Sequence, residues 1–361
     1  MKIGLVGLNQ TGKTTLFNLL TGREEGTSAP AGKGSANTGT GLVPDERIDF
    51  LAELYHPKKT AYAKIDLTDV AGFSAAGENR NSGAARFLND VRPCDALIHV
   101  LRAFESDAVV HDLDTIDPAR DLEAVETEML FADLELAEKR IDRIKTGRKI
   151  TKENAEELAL LERCFAWLEK GGAMREMELS GQDRTAVSSY AFLTEKPRMA
   201  VVNLDENQWK AGTWPNQQAL RALCTRLSIP MLELCVEMEL EISRLPKEDK
   251  QMFMEDMRIG QPGVDVLARA VYGLLGLISF LTAGEDEVKA WTIDKGTNAR
   301  NAAGKIHSDI ERGFIRAEVV KFDDIKETGS MAKVKEKGLF RLEGKEYIVI
   351  DGDIIHFRFN V

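Results

Sequence analysis

Between Gly7 and Thr15 the chain reads Gly-Leu-Asn-Gln-Thr-Gly-Lys-Thr-Thr, so Gly7, Gly12, Lys13 and Thr14 satisfy the pattern GxxxxGKT. A polyphosphate needs several backbone N–H groups converging at the start of a helix, and glycines let a chain curl tightly enough to present them. On this pattern Asn9, Gln10, Thr11 and Gly12 form the cradle. Lys13 reaches the β and γ phosphates as a point charge, and the Thr14 hydroxyl ligates the Mg²⁺ that bridges them. Thr15 adds a donor for an outer phosphate oxygen. The pattern carries this meaning only inside a strand, turn and helix. Ile3 to Val6 is an apolar run of strand character, and Leu16, Phe17, Leu19 and Leu20 repeat at helical spacing. Both flanks favour nucleotide binding over a plain glycine-rich turn.

A second group of residues could complete the site. The stretch AYAKIDLTDVAG reads as a strand that delivers Asp69 and Gly72. In phosphate-loop NTPases an Asp at this point holds Mg²⁺, and the Gly of DxxG offers its N–H to the γ phosphate. DxxG alone is a weak pattern, but after a phosphate loop it is a strong one. The next residue is Phe73, where many such enzymes place the Gln that orients the attacking water; a phenyl ring cannot do that. A third group, Asn203-Leu204-Asp205-Glu206, follows the buried run Met199 to Val202. GTPases carry Asn-Lys-x-Asp here, and the Asp carboxylate accepts from guanine N1–H and the 2-amine. With Leu204 and Glu206 at the discriminating positions, relaxed or adenine-preferring recognition is the chemical expectation.

These residues need a scaffold, and the hydrophobic periodicity outlines one. Asp95 to Arg102 reads as a buried strand whose His99 is expected to be a core histidine. Leu122, Val125, Met129, Leu134, Ala137, Ile141 and Ile144 repeat at three and four residues, and Leu158, Leu161, Phe165 and Leu168 do so again. With a turn over residues 146–151, two long helices should fold back as an antiparallel hairpin, either a docking arm or a solubilised insert. Leu232 to Val236 reads as a strand and Glu239 to Gly276 as helical. From about Leu277 short β runs (Lys289 to Ile293, Phe314 to Phe322, Glu346 to Ile350, Ile354 to Phe359) surround one helix near Ala303 to Arg312. Thr21 to Gly41 is Gly-, Ala-, Ser- and Thr-rich, which suits a nucleotide-sensing switch or a plain linker equally. Residues 77–83 suit a second switch.

The chain has 361 residues, enough for two or three domains, with 43% apolar and 30% charged content and a formal charge of −11. That charge argues against broad attraction to nucleic acid or anionic membrane, so any RNA contact must be local. Cys94, Cys164, Cys224 and Cys235 are too far apart for metal spacing and read as buried reduced thiols. No apolar run approaches spanning length, and the chain opens on its first strand, which predicts a cytoplasmic protein with no membrane contact.

With GLNQTGKTTLFNLLTG, DVAGF, ADLELAEKRIDRI, LLERC, NLDE, LTAGEDEVKAWTI, AAGKIHSDIERGFIRAE and DGDIIHFRFNV in view, the chain resembles, essentially end to end, the YchF family of Obg-like ATPases. The resemblance implies an α/β fold: a P-loop G domain over residues 1–118 and 186–276, an inserted helical hairpin over 119–185, and a C-terminal TGS domain of β-grasp fold over 277–361. It implies a Mg²⁺-dependent ATPase that also binds GTP and associates with the ribosome, acting as a nucleotide-dependent switch with slow turnover. Family members have a hydrophobic residue where the catalytic Gln stands, as Phe73 does, and the resemblance makes His111, in AVVHDL, the candidate substitute. Three departures stand out. Asn9-Gln10-Thr11 replaces the family's Pro-Asn-Val. The switch I Thr falls on Lys33 in an ungapped count, or on Thr38 or Thr40 with a gap. Cys235-Val236-Glu237 replaces the usual base loop. The phosphate cradle is intact, so binding is the firmer expectation; the alternatives are a non-hydrolysing, nucleotide-gated adaptor for ribosome or RNA, and a small-molecule kinase, which lacks its Arg-rich lid here.

Overall fold

A computed structural model describes residues 1–23, 37–72, 87–106, 111, 113, 115–147 and 151–360. Lys33, Phe73, residues 77–83, and most of Thr21 to Gly41 therefore lie outside the described residues. The chain divides into two compact units: Met1–Gly39 with Asp66–Gly263, and Thr40–Ile65 with Val264–Val361.

The first unit is built on a six-stranded sheet of order β2-β4-β1-β5-β6-β7, comprising β1 (Lys2–Val6), β2 (Asn37–Val43), β4 (Ala63–Asp69), β5 (Ala96–Arg102), β6 (Arg198–Asn203) and β7 (Met231–Leu234). β1 runs parallel to both β4 and β5, and β5, β6 and β7 continue in parallel. Every residue of β5 and β6 is buried, which is why both read as unbroken apolar runs rather than alternating ones. Leu5 stands opposite Asp69. That register sets the carboxylate beside the point where β1 gives way to the phosphate loop, at the carboxyl ends of the strands where open α/β sheets hold their ligands.

Two helices form the hairpin. The first, α3 (Pro118–Lys145), comes after α1 (Lys13–Thr21) and α2 (Glu46–Tyr55) in the chain; it starts with Pro118 in its first turn and is capped by the Asp117 carboxylate, which accepts from Ala119 and Arg120 N–H. α4 (Lys152–Glu169) is capped by Thr151. Ala137, Ile141 and Ile144 share one buried cluster with Leu160, Leu161, Cys164 and Leu168, so the heptad-like spacing is a packed seam.

The base of the hairpin carries a buried charged group. Arg198 Nη1 lies 2.6 and 2.7 Å from the two Glu126 oxygens, and His99 Nε2 lies 3.2 Å from one of them. Burial alone would raise the Glu126 carboxyl, but the Arg198 guanidinium beside it holds it down to about 2. Burial also pushes the His99 imidazole below its ordinary 6.5. Both groups have folded-state values below their unfolded ones, so the stability they contribute is present above the unfolded values and is lost as pH falls. A thermal-midpoint series from pH 7.5 downward is expected to decline first below 6.5 and more steeply below 4.5, the two groups' ordinary values. In a His99→Asn variant the first part of the decline disappears; a midpoint flat down to pH 4 would refute this account.

The second unit has a mixed sheet of order β11-β10-β12-β8-β9-β3, where β3 is Lys59–Ala61, β8 Leu277–Ala283, β9 Glu287–Asp294, β10 Phe314–Lys321, β11 Arg341–Glu343 and β12 Asp353–Phe359. Its core gathers Phe280, Ile293, Ala302, Val319, Ile355 and Phe357. The unit includes a piece that the sequence reading assigned to the G domain. β3 joins β9 in parallel, and Arg47 of α2 pairs with Asp351 at 2.8 Å, so α2 and β3 go with the C-terminal residues while the flanking β2 and β4 pair in the first sheet. Local pattern cannot reveal this, because edge pairing is decided by a strand some 230 residues away in the chain. Glu346 to Ile350 is also not a strand: only Ile348 makes an isolated bridge, to Asn298. The expected single helix near Ala303 to Arg312 is two, Ala299–Ile306 and Ser308–Arg312, and Phe322–Thr328 and Met331–Glu336 follow β10. The helical run from Glu239 likewise breaks into Val236–Arg244, Lys247–Asp256 and Gly263–Leu274, the first break falling at Pro246, which cannot continue a helix.

Candidate functional site

The loop after β1 closes tightly because two glycines allow it. Gly7 has φ 147°, and a Cβ there would stand 2.4 Å from the Val100 carbonyl oxygen of β5. Gly12, φ 93°, is the N-cap of α1, and a Cβ there would meet Asn203 Nδ2 at 2.4 Å. Between them Gln10 sits at φ 59°, a left-handed conformation uncommon for a residue with a side chain. The loop amides therefore open toward the N-terminus of α1, whose Leu16 and Phe17 anchor it in the core.

Lys13 is 6% exposed, and its ammonium reaches back across the loop to donate to the Leu8 carbonyl, which also accepts from Thr11 Oγ1 at 3.3 Å. The positive charge is thus held against the loop's own backbone. Thr14 Oγ1 donates to Asp69 Oδ2 at 2.8 Å. Burial raises the Asp69 carboxyl against the opposing pull of Thr14 and Lys13. A hydroxyl and a carboxylate in contact, both hard oxygens, suit Mg²⁺, which takes one or two protein oxygens and fills its other positions with phosphate oxygens and water. The two residues read as metal ligands stand together.

From Gly12 and Thr15 a cavity of about 500 Å³ extends to Phe104, Leu204, Asp205 and the helix Val236–Arg244, a volume suited to a nucleoside. Asn203 lines it too, but both ends of its carboxamide are engaged by backbone groups. Its Nδ2 donates to the Thr11 carbonyl at 3.1 Å and its Oδ1 accepts from Val236 N–H at 3.1 Å, which ties the phosphate loop to the two elements that line the base end. Leu204 is 2% exposed and supplies an apolar wall. Glu206 is placed otherwise than its spacing suggests: it is exposed on the first turn of the helix Glu206–Ala211, pairs with Lys210, and is not among the residues that line the cavity. Asp205 does line it, but its carboxylate caps that helix through Gln208 N–H at 2.9 Å, and Gln208 returns a bond to the Asp205 N–H in a capping box.

Gly72 lies against the phosphate loop, since the atoms nearest a Cβ built on it all belong to Asn9. His111 is not brought to the phosphates as an exposed loop group. It is buried; Nε2 lies 3.0 Å from Asp121 Oδ2, and Nδ1 accepts from Leu113 N–H at 3.1 Å. With Nδ1 accepting, the proton sits on Nε2 and is donated to Asp121, so neither nitrogen is open to a water in this conformation. Thr38 and Thr40 lie exposed in β2.

The sequence reading named Val236 and Glu237 only as part of an altered base loop and missed the rest of the base-end wall: Phe104 and Glu105 just after β5, and Leu240 and Glu241, which share one face of the helix Val236–Arg244 with Glu237. Spacing at i, i+3 and i+4 marks that face, but only the fold shows that it turns toward the phosphate loop.

Known proteins resemble this chain over its whole length. Residues 2–132 match a family model described as a 50S ribosome-binding GTPase, and residues 277–360 match one described as a YchF GTPase C-terminal domain of unknown function. The chain is 40% identical over 361 residues to the ribosome-binding ATPase YchF of Bacillus subtilis, covering 99% of each chain. It is 38% identical over 362 residues to the protein of that name from Escherichia coli O157:H7, covering 100% of this chain and 99% of the other. A solved structure of the Schizosaccharomyces pombe YchF GTPase superposes with a TM-score of 0.87 at 29% identity, over 99% of this chain and 97% of that one.

Proposed function

The chain belongs to the YchF family, and from that premise we infer that it is a Mg²⁺-dependent ATPase that binds the ribosome, prefers ATP to GTP, and works in the cytoplasm as a nucleotide-dependent switch. The observation that carries the catalytic half is the contact of Thr14 with Asp69 near the Lys13 ammonium, in the loop whose Gly12 and Thr15 line a nucleoside-sized cavity. Catalysis on this reading is positioning and charge stabilisation: the loop amides and Lys13 hold the β and γ phosphates, and Thr14 and Asp69 would hold Mg²⁺, which neutralises charge developing on the leaving phosphates. Turnover is slow, because the residue after Gly72 offers no polar group.

The preference for adenine rests on what the carboxylates are doing. Guanine recognition needs an acceptor for N1–H and the 2-amine together. Glu206 pairs outward with Lys210, and Asp205 spends its oxygen on a helix cap. Glu206, at the motif's discriminating position, is turned away from the cavity, Asp205 lines it with one oxygen committed to the helix cap, and Leu204 stands where the motif expects a Lys. A motif that offers no such acceptor costs guanine its usual pair of bonds; Glu105, Glu237 and Glu241 line the same cavity, and the titration below decides whether they replace it. Ribosome binding rests on the names of the relatives, and the helical hairpin and C-terminal unit are the surfaces through which the nucleotide state would alter that engagement. No helix among the described residues is long and apolar enough to cross a membrane.

The deciding experiment is equilibrium titration of nucleotide-free protein with Mg·ATP and Mg·GTP at identical salt, followed by hydrolysis with and without ribosomes. ATP should bind at least about tenfold more tightly, the equivalent of one unmade hydrogen bond. Tighter GTP binding overturns the base assignment. Tight ATP binding with no hydrolysis, alone or on ribosomes, makes the protein a nucleotide-gated adaptor.

A further inference from the structure

We propose that Asn9 is a catalytic residue of this site, its carboxamide orienting the attacking water that the apolar residue after Gly72 cannot. The proposal rests on the ATPase reading above. Its first support is contact: a Cβ on Gly72 would stand 2.1 Å from Asn9 Oδ1, 2.9 Å from Cγ and 3.0 Å from Cα, so the carboxamide lies directly on the glycine whose N–H addresses the γ phosphate. The second is its position along the loop. Asn9 follows Leu8, whose carbonyl accepts from the Lys13 ammonium; one residue of the loop thus holds the lysine that reaches the terminal phosphates, and the next lies on the glycine of DxxG. The third is chemical type. A carboxamide carries an acceptor and two donors on one rigid plane, so Oδ1 can accept from a water while Nδ2 donates to a γ oxygen. The family pattern has Pro at this point, which offers neither, so the group belongs to this chain rather than to the family's common machinery.

The step balances without any charge on Asn9. The water oxygen forms the new bond to the γ phosphorus, the bond from that phosphorus to the β–γ bridging oxygen breaks, and its electron pair leaves on ADP. The water proton passes to a γ oxygen of the phosphate being formed. Asn9 holds the water in line and is unchanged at the end.

The test separates binding from chemistry. Asn9→Ala should lower the single-turnover rate of Mg·ATP hydrolysis by about 10- to 100-fold, as loss of one oriented polar group does, with Mg·ATP affinity within about threefold of wild type. Asn9→Asp keeps the shape and removes the Nδ2 donor, and should lose a similar factor even if alanine loosens the loop. Asn9→Gln, which keeps the carboxamide, should recover part of the rate. Gly72→Ala drives a methyl group into Oδ1 and should slow hydrolysis, with little added loss when combined with Asn9→Ala, because contacting residues do not act additively. Wild-type or faster hydrolysis by Asn9→Ala overturns the proposal and leaves the ATPase reading intact. Wild-type protein that neither binds nor hydrolyses ATP overturns that reading, and the proposal with it.

Discussion

Replacing Lys13 by alanine is expected to abolish measurable ATP hydrolysis and to weaken Mg·ATP binding by about 10- to 100-fold, while stability stays within about 1 kcal/mol of wild type. The asymmetry follows from what the ammonium does without nucleotide. It is nearly buried, and it donates to the Leu8 carbonyl inside the loop. Removing it takes one donor from that oxygen, but Thr11 Oγ1 at 3.3 Å remains, and the cost of desolvating a cation disappears with the side chain. With nucleotide present no such compensation exists. The loop amides are partial charges, and the β and γ phosphates lose the one full positive charge that the loop brings to them. Calorimetric titration with Mg·ATP, a turnover assay and a thermal melt on the same preparation decide the matter. Unchanged affinity would remove the phosphate site from residues 7–15 altogether.

The phosphate end of this site is legible in the sequence because its chemistry is backbone chemistry. Gly7 and Gly12 must be glycines for steric reasons, and Lys13 and Thr14 have a fixed separation from them along one turn of helix. Asp69 could be read for a related reason: a parallel strand beside β1 brings its last residue to the same edge. The base end was less legible. Asn203 fits its expected position, yet its side chain braces Thr11 and Val236 instead of a base. Glu206 keeps its place in the motif but turns to solvent, because the adjacent Asp205 begins a helix by capping it. A four-residue motif does not reveal which of two neighbouring carboxylates the helix start will consume. His111 illustrates the converse case. Its partner Asp121 is ten residues away and buried, so an apparent loop histidine is fixed to the first turn of the hairpin helix.

The hairpin's own attachment supports the second large expectation: Asp133→Ala should destabilise the first unit by about 3–5 kcal/mol. The Asp133 carboxylate is fully buried and accepts from Leu193 N–H at 2.8 Å, Thr194 N–H at 2.7 Å and Thr194 Oγ1 at 2.7 Å. Alanine leaves two backbone N–H groups and a hydroxyl without that acceptor inside the core, and each unmade bond to a buried donor costs about 1–3 kcal/mol. Asparagine does not rescue this, because its amide nitrogen would face one of the same N–H groups, donor against donor. Thr194→Val removes the hydroxyl from Asp133 and, because Oγ1 also accepts from Met174 N–H at 3.1 Å, leaves that buried donor unpaired, so it should cost about 2 kcal/mol. Urea unfolding gives the magnitudes, and amide exchange locates them: Leu193 and Thr194 should exchange faster in Asp133→Ala, while amides in β1 and the phosphate loop keep wild-type protection under conditions where the unit remains folded. A loss under 1 kcal/mol would mean that the carboxylate is dispensable and that the apolar seam alone holds the hairpin in place. A full loss would identify Asp133 as the buried anchor through which forces on the hairpin reach the nucleotide-binding unit, since Thr194 lies four residues before the start of β6, the strand that ends in Asn203 and so in the brace on the phosphate loop.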